Sequence, residues 1–213
     1  MRYNPDLHRR RSIRLQGYDY ARAGAYFVTI CVQNRDTLFG AVVDGTMRPN
    51  AAGFMVHRVW EELRDYYTGV DTDAFVVMPN HVHGIIVLTG DDAQAPGQAR
   101  GPAPTLPVVG VPPCGCPDPG QARGPAPTLS VPEVVQRFKS FTTTLYRRGV
   151  DEEGWQPFPG RLWQRNYYEH IIRDEEEWDC IAGYVRANPE RWACDRENPV
   201  ALQPWKPEAA WEV

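Results

Sequence analysis

From Gly90 to Ser130 the chain is dominated by proline, glycine and alanine, and one decapeptide occurs twice: GQARGPAPTL at Gly97–Leu106 and again at Gly120–Leu129. Such a stretch lacks the large apolar side chains needed to bury a core, and two copies of a unit are too few for a solenoid. The 213-residue chain must therefore build its core from the segments on either side. The reading that follows is a single domain over 23–192, interrupted by a disordered insertion over 90–130. A basic arm, 1–22, precedes it and an irregular tail, 193–213, follows.

The flanking segments carry clear periodicities. Ala25–Gln33 (AYFVTICVQ) is β-branched and aromatic and predicts a strand, with Leu38–Val43 expected to pair with it. Asp44-Gly45 predicts a turn before Thr46–Arg48. Asn50 suits a helix N-cap, and Phe54, Val56, Val59, Trp60 and Leu63 recur at helical spacing up to Tyr67. Ala74–Met78 and His81–Leu88, separated by Pro79-Asn80, predict a β-hairpin. Beyond the insertion, Pro132 and Glu133 suit a helix first turn, Val134, Val135, Phe138, Phe141 and Leu145 mark its apolar face, and Gly149 is expected to stop it. Leu162–Arg173 predicts an extended segment. Asp174–Asn188 predicts a last helix, with Trp178, Ile181 and Val185 inward and Pro189 as terminator. The order β, β, α, β, β, insertion, α, β, α predicts an α+β fold, helices on an antiparallel sheet.

Charge and cysteine usage limit the partners. Net charge is −4, but basic residues are clustered. Residues 1–22 hold Arg2, Arg9, Arg10, Arg11, Arg14 and Arg22 against Asp6 and Asp19. Residues 133–148 hold Arg137, Lys139, Arg147 and Arg148 against Glu133. Phosphate binding requires a locally basic surface, so nucleic acid remains open as a partner. No apolar run is long enough to span a bilayer, and Met1–Arg14 lacks the hydrophobic stretch of a secretory signal. Cys31, Cys114, Cys116, Cys180 and Cys194 are odd in number and scattered, which predicts a reducing, cytoplasmic setting and no disulfide framework.

Two motifs can carry chemistry. In His81-Val82-His83 the strand period projects both imidazoles from one face, an arrangement that suits a divalent metal. In the last helix Tyr184 and Asn188 stand at i and i+4 on a shared face, where the Asn amide oxygen can be a third, hard ligand and the phenol can ionise beside a cation. Taken singly, the first reads more simply as a surface histidine pair and the second as a half-buried tyrosine with an Asn before a helix-ending proline. Tyr167 and Tyr168, in the extended segment, are alternative tyrosines but lack an Asn at helical spacing. His170 reads as a structural or DNA-contacting residue, and His57 has no partner in sequence.

Taken together, GAYFVTICVQNRDTLFG (24–40), the MPNHVHG centre of 75–86, 162–173 and YVRANPERW (184–192) resemble the REP-associated tyrosine transposases, over about Arg9 to Trp192. The resemblance implies a ferredoxin-like or RRM-like sheet of the HUH endonuclease type, with His81-Val82-His83 as its His-hydrophobe-His motif and Tyr184 as nucleophile. Many insertion-sequence relatives have Gln four residues after the tyrosine, where this chain has the shorter Asn188. It further implies Mg²⁺ or Mn²⁺ on His81, His83 and Asn188, and a single-stranded or hairpin DNA substrate. Arg9, Arg10, Arg11, Arg14, Arg137, Lys139 and Arg165 would hold its phosphates. The expected activity is strand cleavage and transfer through a 5′-phosphotyrosine. A hydrolase with a water nucleophile and a hairpin-binding protein that does not cut stay open beside it, as does monomer against homodimer.

Overall fold

Four strands form one antiparallel sheet in the order β4-β5-β1-β6 in a computed structural model that describes residues 19–89 and 129–201. They are β1 (Gly24–Cys31), β4 (Val70–Val77), β5 (His81–Leu88) and β6 (Tyr168–Ile172). Helix α1 (Ala51–Tyr66) joins β1 to β4, and α2 (Val131–Glu153) joins β5 to β6. Strands and helices thus run β-α-β-β-α-β with the first and third strands central, the ferredoxin-like arrangement. A third helix, α3 (Glu175–Arg191), follows β6.

Helices cover both faces of the sheet. Tyr26, Val28 and Ile30 of β1 and Val82 and Ile86 of β5 pack with Val56, Val59 and Trp60 of α1 and Val134, Val135 and Phe138 of α2. On the opposite face Phe27 and Ile85 meet Ile181, Ala182, Tyr184 and Val185 of α3. The six inner residues of β1 are accordingly all buried, whereas an antiparallel sheet with one wet face would alternate.

Local chemistry explains the element ends. The Asn50 side chain accepts from the Gly53 amide and caps α1. Glu133 accepts from both the amide and the hydroxyl of Ser130 at the start of α2, so Ser130 belongs to the helix cap and not to the insertion. Asp174 caps α3 through the Glu177 amide.

Several expectations are corrected. Leu38–Val43 does not pair with β1, because β5 and β6 already occupy both of its edges. Instead β2 (Gly40–Val43) pairs with β3 (Thr46–Pro49) as a separate ribbon. Its turn is Asp44-Gly45, with φ of 51° and 70°, the left-handed pair a two-residue hairpin needs. Leu38 and Phe39 fill the core. Phe54 is 63% exposed, and Met55 takes the inward position. Gly149 does not end α2. A Cβ there would lie 2.3 Å from the Trp155 ring, so this glycine admits a packed indole, and Gly154, at φ 70°, terminates the helix. Pro189 does not end α3 either. It lies in the last turn, where its ring removes only the bond to the Val185 carbonyl, and the helix reaches Arg191. Of the extended segment only Tyr168–Ile172 is a strand; Trp163 makes an isolated bridge to Val32. The tail begins with a 3₁₀ turn, Trp192–Cys194, followed by buried Asp195, Glu197 and Asn198. Residues 1–18 of the expected arm, the body of the insertion (90–128) and the end of the tail (202–213) lie outside the described residues.

Candidate metal centre and tyrosine site

His81 and His83 leave β5 on the α3 face and are 0% and 1% exposed. Their Nε2 atoms are 3.0 Å apart. The outer nitrogen of each ring is held: His81 Nδ1 lies 2.9 Å from Asn80 Oδ1, and His83 Nδ1 lies 2.8 Å from Thr29 Oγ1 across the strand pair. Burial keeps both imidazoles neutral. His83 is pushed down to about 3, and His81 is lowered by burial, by His83 and by Arg35. Neutral rings retain the lone pairs that a cation requires.

A carboxylate completes the cluster. Asp195 Oδ2 stands 3.7 Å from His81 Nε2, and ligand atoms of His81, His83 and Asp195 lie within 4.8 Å of one another. Burial raises the Asp195 carboxyl to about 6, despite a bond from the Glu197 amide to its Oδ1 at 2.6 Å. Glu197 pairs with Arg35 at 2.8 Å, and Asn80 Nδ2 donates to the Glu197 carbonyl at 2.7 Å. These contacts pin the segment after α3 beside the histidines. Sequence periodicity does not find Asp195, because it stands in irregular chain where no repeat assigns a direction to a side chain.

Tyr184 of α3 is buried, with its ring 5.4 Å from that of His83 and edge-on to Phe27 at 6.0 Å. One turn on, Asn188 is 2% exposed and its Oδ1 has no hydrogen-bond partner. A buried carbonyl oxygen left unpaired costs about 1–3 kcal/mol, which a cation ligand role would offset. His81, His83 and Asp195 form a donor set that fits a hard or borderline divalent ion, and Asn188 lies on the same helix one turn beyond Tyr184.

The remaining residues from the sequence reading are spread out. Tyr168 shares the site face, edge-on to Phe27 at 6.3 Å, in a cross-strand row with Thr29 and His83. His170 is bound to Glu177 at 2.7 Å. Arg137 of α2, on the far face of the sheet, lies over the ring of Tyr67 at the end of α1. Lys139 Nζ is 3.0, 3.4 and 3.2 Å from the carbonyls of Gln164, Arg165 and Asn166 and is 5.1 Å from the Tyr167 ring. Arg165 is exposed in that segment, which Gln164 ties to the Cys31 carbonyl, and Cys31 pairs with His81. Arg9, Arg10, Arg11 and Arg14 lie outside the described residues. Among the described residues no helix is long and apolar enough to cross a membrane.

The fold and site together define an α+β protein with a buried histidine pair beside a helical tyrosine. No family model matches the chain. It is 36% identical over 199 residues to an uncharacterised protein of Haemophilus influenzae, covering 92% of this chain and 96% of that one. The chain belongs to the same family as that protein. Among solved structures, a REP-associated tyrosine transposase bound to a REP hairpin overlaps with a TM-score of 0.45 at 16% identity, over 83% of this chain and 72% of the other. A candidate transposase from Deinococcus radiodurans R1 overlaps with a TM-score of 0.39 at 14% identity, over 81% and 95%. Both overlaps are partial.

Proposed function

We propose that this chain is a metal-dependent enzyme that cuts and rejoins single-stranded DNA, with Tyr184 as nucleophile and hairpin-forming DNA as substrate. The observation that carries the reading is the convergence, on one sheet face, of His81, His83 and Asp195 with Tyr184 packed against His83. The sequence motifs that place a tyrosine four residues before Asn188, after a His-hydrophobe-His strand, support the same reading.

His81, His83, Asp195 and Asn188 would hold Mg²⁺ or Mn²⁺. When bound, the ion would withdraw charge from a non-bridging oxygen of the scissile phosphate. Tyr184 Oη attacks phosphorus as its phenolic proton passes to solvent, and solvent returns a proton to the departing O3′. A bond forms from Oη to phosphorus while the P–O3′ bond breaks, leaving a 5′-phosphotyrosine and a free 3′-hydroxyl. Attack by a second 3′-hydroxyl reverses the exchange and restores Tyr184, so the phosphoester bond is conserved without a nucleotide cofactor. Arg165, exposed in the segment beside Cys31, would contact backbone phosphates, a role the sequence also suggests for Arg9, Arg10, Arg11 and Arg14. Lys139 serves by ordering the carbonyls around Arg165. Site closure against water makes each charge interaction stronger than it would be in bulk solvent.

The test is incubation of the purified chain and Mn²⁺ with 5′- and 3′-labelled hairpin oligonucleotides drawn from repeats flanking its gene, resolved on a denaturing protein gel. The expected result is a covalent adduct on the 3′ fragment, present in the wild type and absent from Tyr184→Phe. Cleavage that survives Tyr184→Phe, with no adduct, points to a water nucleophile. Binding without cleavage points to a hairpin-binding protein.

A further inference from the structure

The two histidines of the pair have different outer partners. Asn80 is 0% exposed, and its Nδ2 donates to two main-chain carbonyls, Arg35 O at 3.1 Å and Glu197 O at 2.7 Å. Those two acceptors use both amide protons and fix which end of the side chain is nitrogen, since the reverse orientation would set oxygen against two oxygens. Oδ1 is therefore the atom facing His81 Nδ1 at 2.9 Å. An amide oxygen only accepts, so His81 must carry its proton on Nδ1 and present a bare Nε2.

His83 meets a hydroxyl instead. Thr29 Oγ1, 2.8 Å from His83 Nδ1, can donate or accept. With His81 Nε2 bare, His83 Nε2 at 3.0 Å must carry a proton, or two lone pairs would oppose each other. His83 Nδ1 then accepts from Thr29. If His81 and His83 were both to hold a cation through Nε2, both atoms would have to be bare, and the His83 proton would have to leave Nε2.

We propose that Asn80 and Thr29 are positioning residues that make the pair asymmetric: Asn80 locks His81 in one tautomer, and Thr29 lets His83 exchange its own. On metal binding one proton leaves His83 Nε2 and one is gained at Nδ1, while the Thr29 hydroxyl turns from donor to acceptor. The ring stays neutral and the exchange releases no net proton. Asn80 also joins three parts of the chain, the turn at Arg35, the segment carrying Asp195 and Glu197, and His81 itself. It thereby sets the position of the carboxylate relative to the ring. The Asn80 half stands on hydrogen bonding alone; the exchange at His83 rests on the metal reading above.

The experiment is a long-range ¹H–¹⁵N correlation spectrum of the full chain labelled at histidine nitrogen, recorded with chelator and then with Zn²⁺ as a diamagnetic probe. His81 is expected to show an Nδ1–H tautomer in both states, and His83 to move from Nε2–H to Nδ1–H. An Nε2–H tautomer for His81 in the metal-free protein overturns the role of Asn80, whatever the metal does. No response of either ring to Zn²⁺ overturns the metal reading and the exchange with it, while the metal-free spectrum still decides the Asn80 half. Thr29→Val should weaken Zn²⁺ binding, measured by calorimetry, by about ten-fold, in the range found for outer partners of metal-bound histidines. Thr29→Ser should restore it. Unchanged affinity in Thr29→Val overturns the role of Thr29.

Discussion

His83 shows how burial sets chemistry one residue at a time. Its imidazole is pushed down to about 3 by desolvation, so between about 6.5 and 3 the unfolded chain binds the proton that the fold refuses. Its stabilising contribution is complete above about 6.5 and is lost as pH falls through that window. His81 shifts in the same direction. Asp195 acts oppositely: its carboxyl rises from 3.8 to about 6, so its contribution is present below 3.8 and is lost as pH rises through 6. With chelator present, the urea midpoint should be lower at pH 4.5 than at pH 6.5. His83→Gln should flatten that difference and Asp195→Asn should steepen it. A second expectation separates the two oxygen donors. Asp195→Asn removes a charge and should weaken Mn²⁺ binding by about ten-fold or more, with Asn188→Ala weakening it less, by calorimetry. At this scale the sequence is legible where a repeat assigns direction. The strand period puts His81 and His83 together, and the helix period aligns Tyr184 with Asn188. Thr29 reaches His83 only through the β1–β5 register, and the local pattern around Asn80 predicts a turn rather than a partner for His81. Neither pairing exists until the sheet does.

At the scale of elements, glycine and proline mislead when read only as punctuation. Gly149 and Pro189 are both expected to end helices and both lie inside them, Gly149 because the Trp155 ring packs on it and Pro189 because in the last turn it removes only the bond to the Val185 carbonyl. The same distinction separates two other glycines. On Gly84 of β5 a Cβ would stand 2.4 Å from the Trp60 ring and 2.8 Å from that of Phe75, which are stacked at 4.4 Å. Gly84→Ala should therefore cost about 1–3 kcal/mol, the usual penalty for overpacking a filled core. Gly183 of α3 is exposed, with nothing within 4 Å of a Cβ, so Gly183→Ala should stabilise by about 0.5–1 kcal/mol through helix propensity. Urea denaturation followed by tryptophan fluorescence reads both, and equal effects would contradict the packing argument. The hairpin β4–β5, the Asn50 N-cap and the apolar stripes of α1 and α2 are visible in sequence because each is specified within a dozen residues. Pairing of β1 with β5 and β6 is set by what remains unpaired after the whole chain collapses, and no local signal carries it.

In the whole molecule the site lies between the sheet and α3, and the segment 192–198 closes it, so β5, α3 and the chain beyond α3 must all be in place for the cluster to exist. The insertion enters far from that cluster in the register of the sheet. It leaves at the end of β5, where Leu88 pairs with Gly24, while His81 pairs with Cys31 at the other end of the same two strands. It returns at α2, where the Val131 amide donates to the Tyr20 carbonyl. Both ends of the insertion are thus anchored to the short stretch Tyr20–Gly24, whose own span cannot exceed roughly 15 Å at the reach of an extended chain. A linker of roughly eight residues can cover that gap, so residues 92–127 are not needed to connect the halves. Replacing them with such a glycine–serine linker should leave the fold intact. It should raise stability slightly, by about 1 kcal/mol, because closing a shorter loop costs less entropy. Thermal melting and Zn²⁺ calorimetry on the shortened chain check this together. Native-like melting with unchanged Zn²⁺ affinity is the expected pair of results. A chain that melts normally but binds Zn²⁺ more weakly would mean that the insertion reaches the cluster after all.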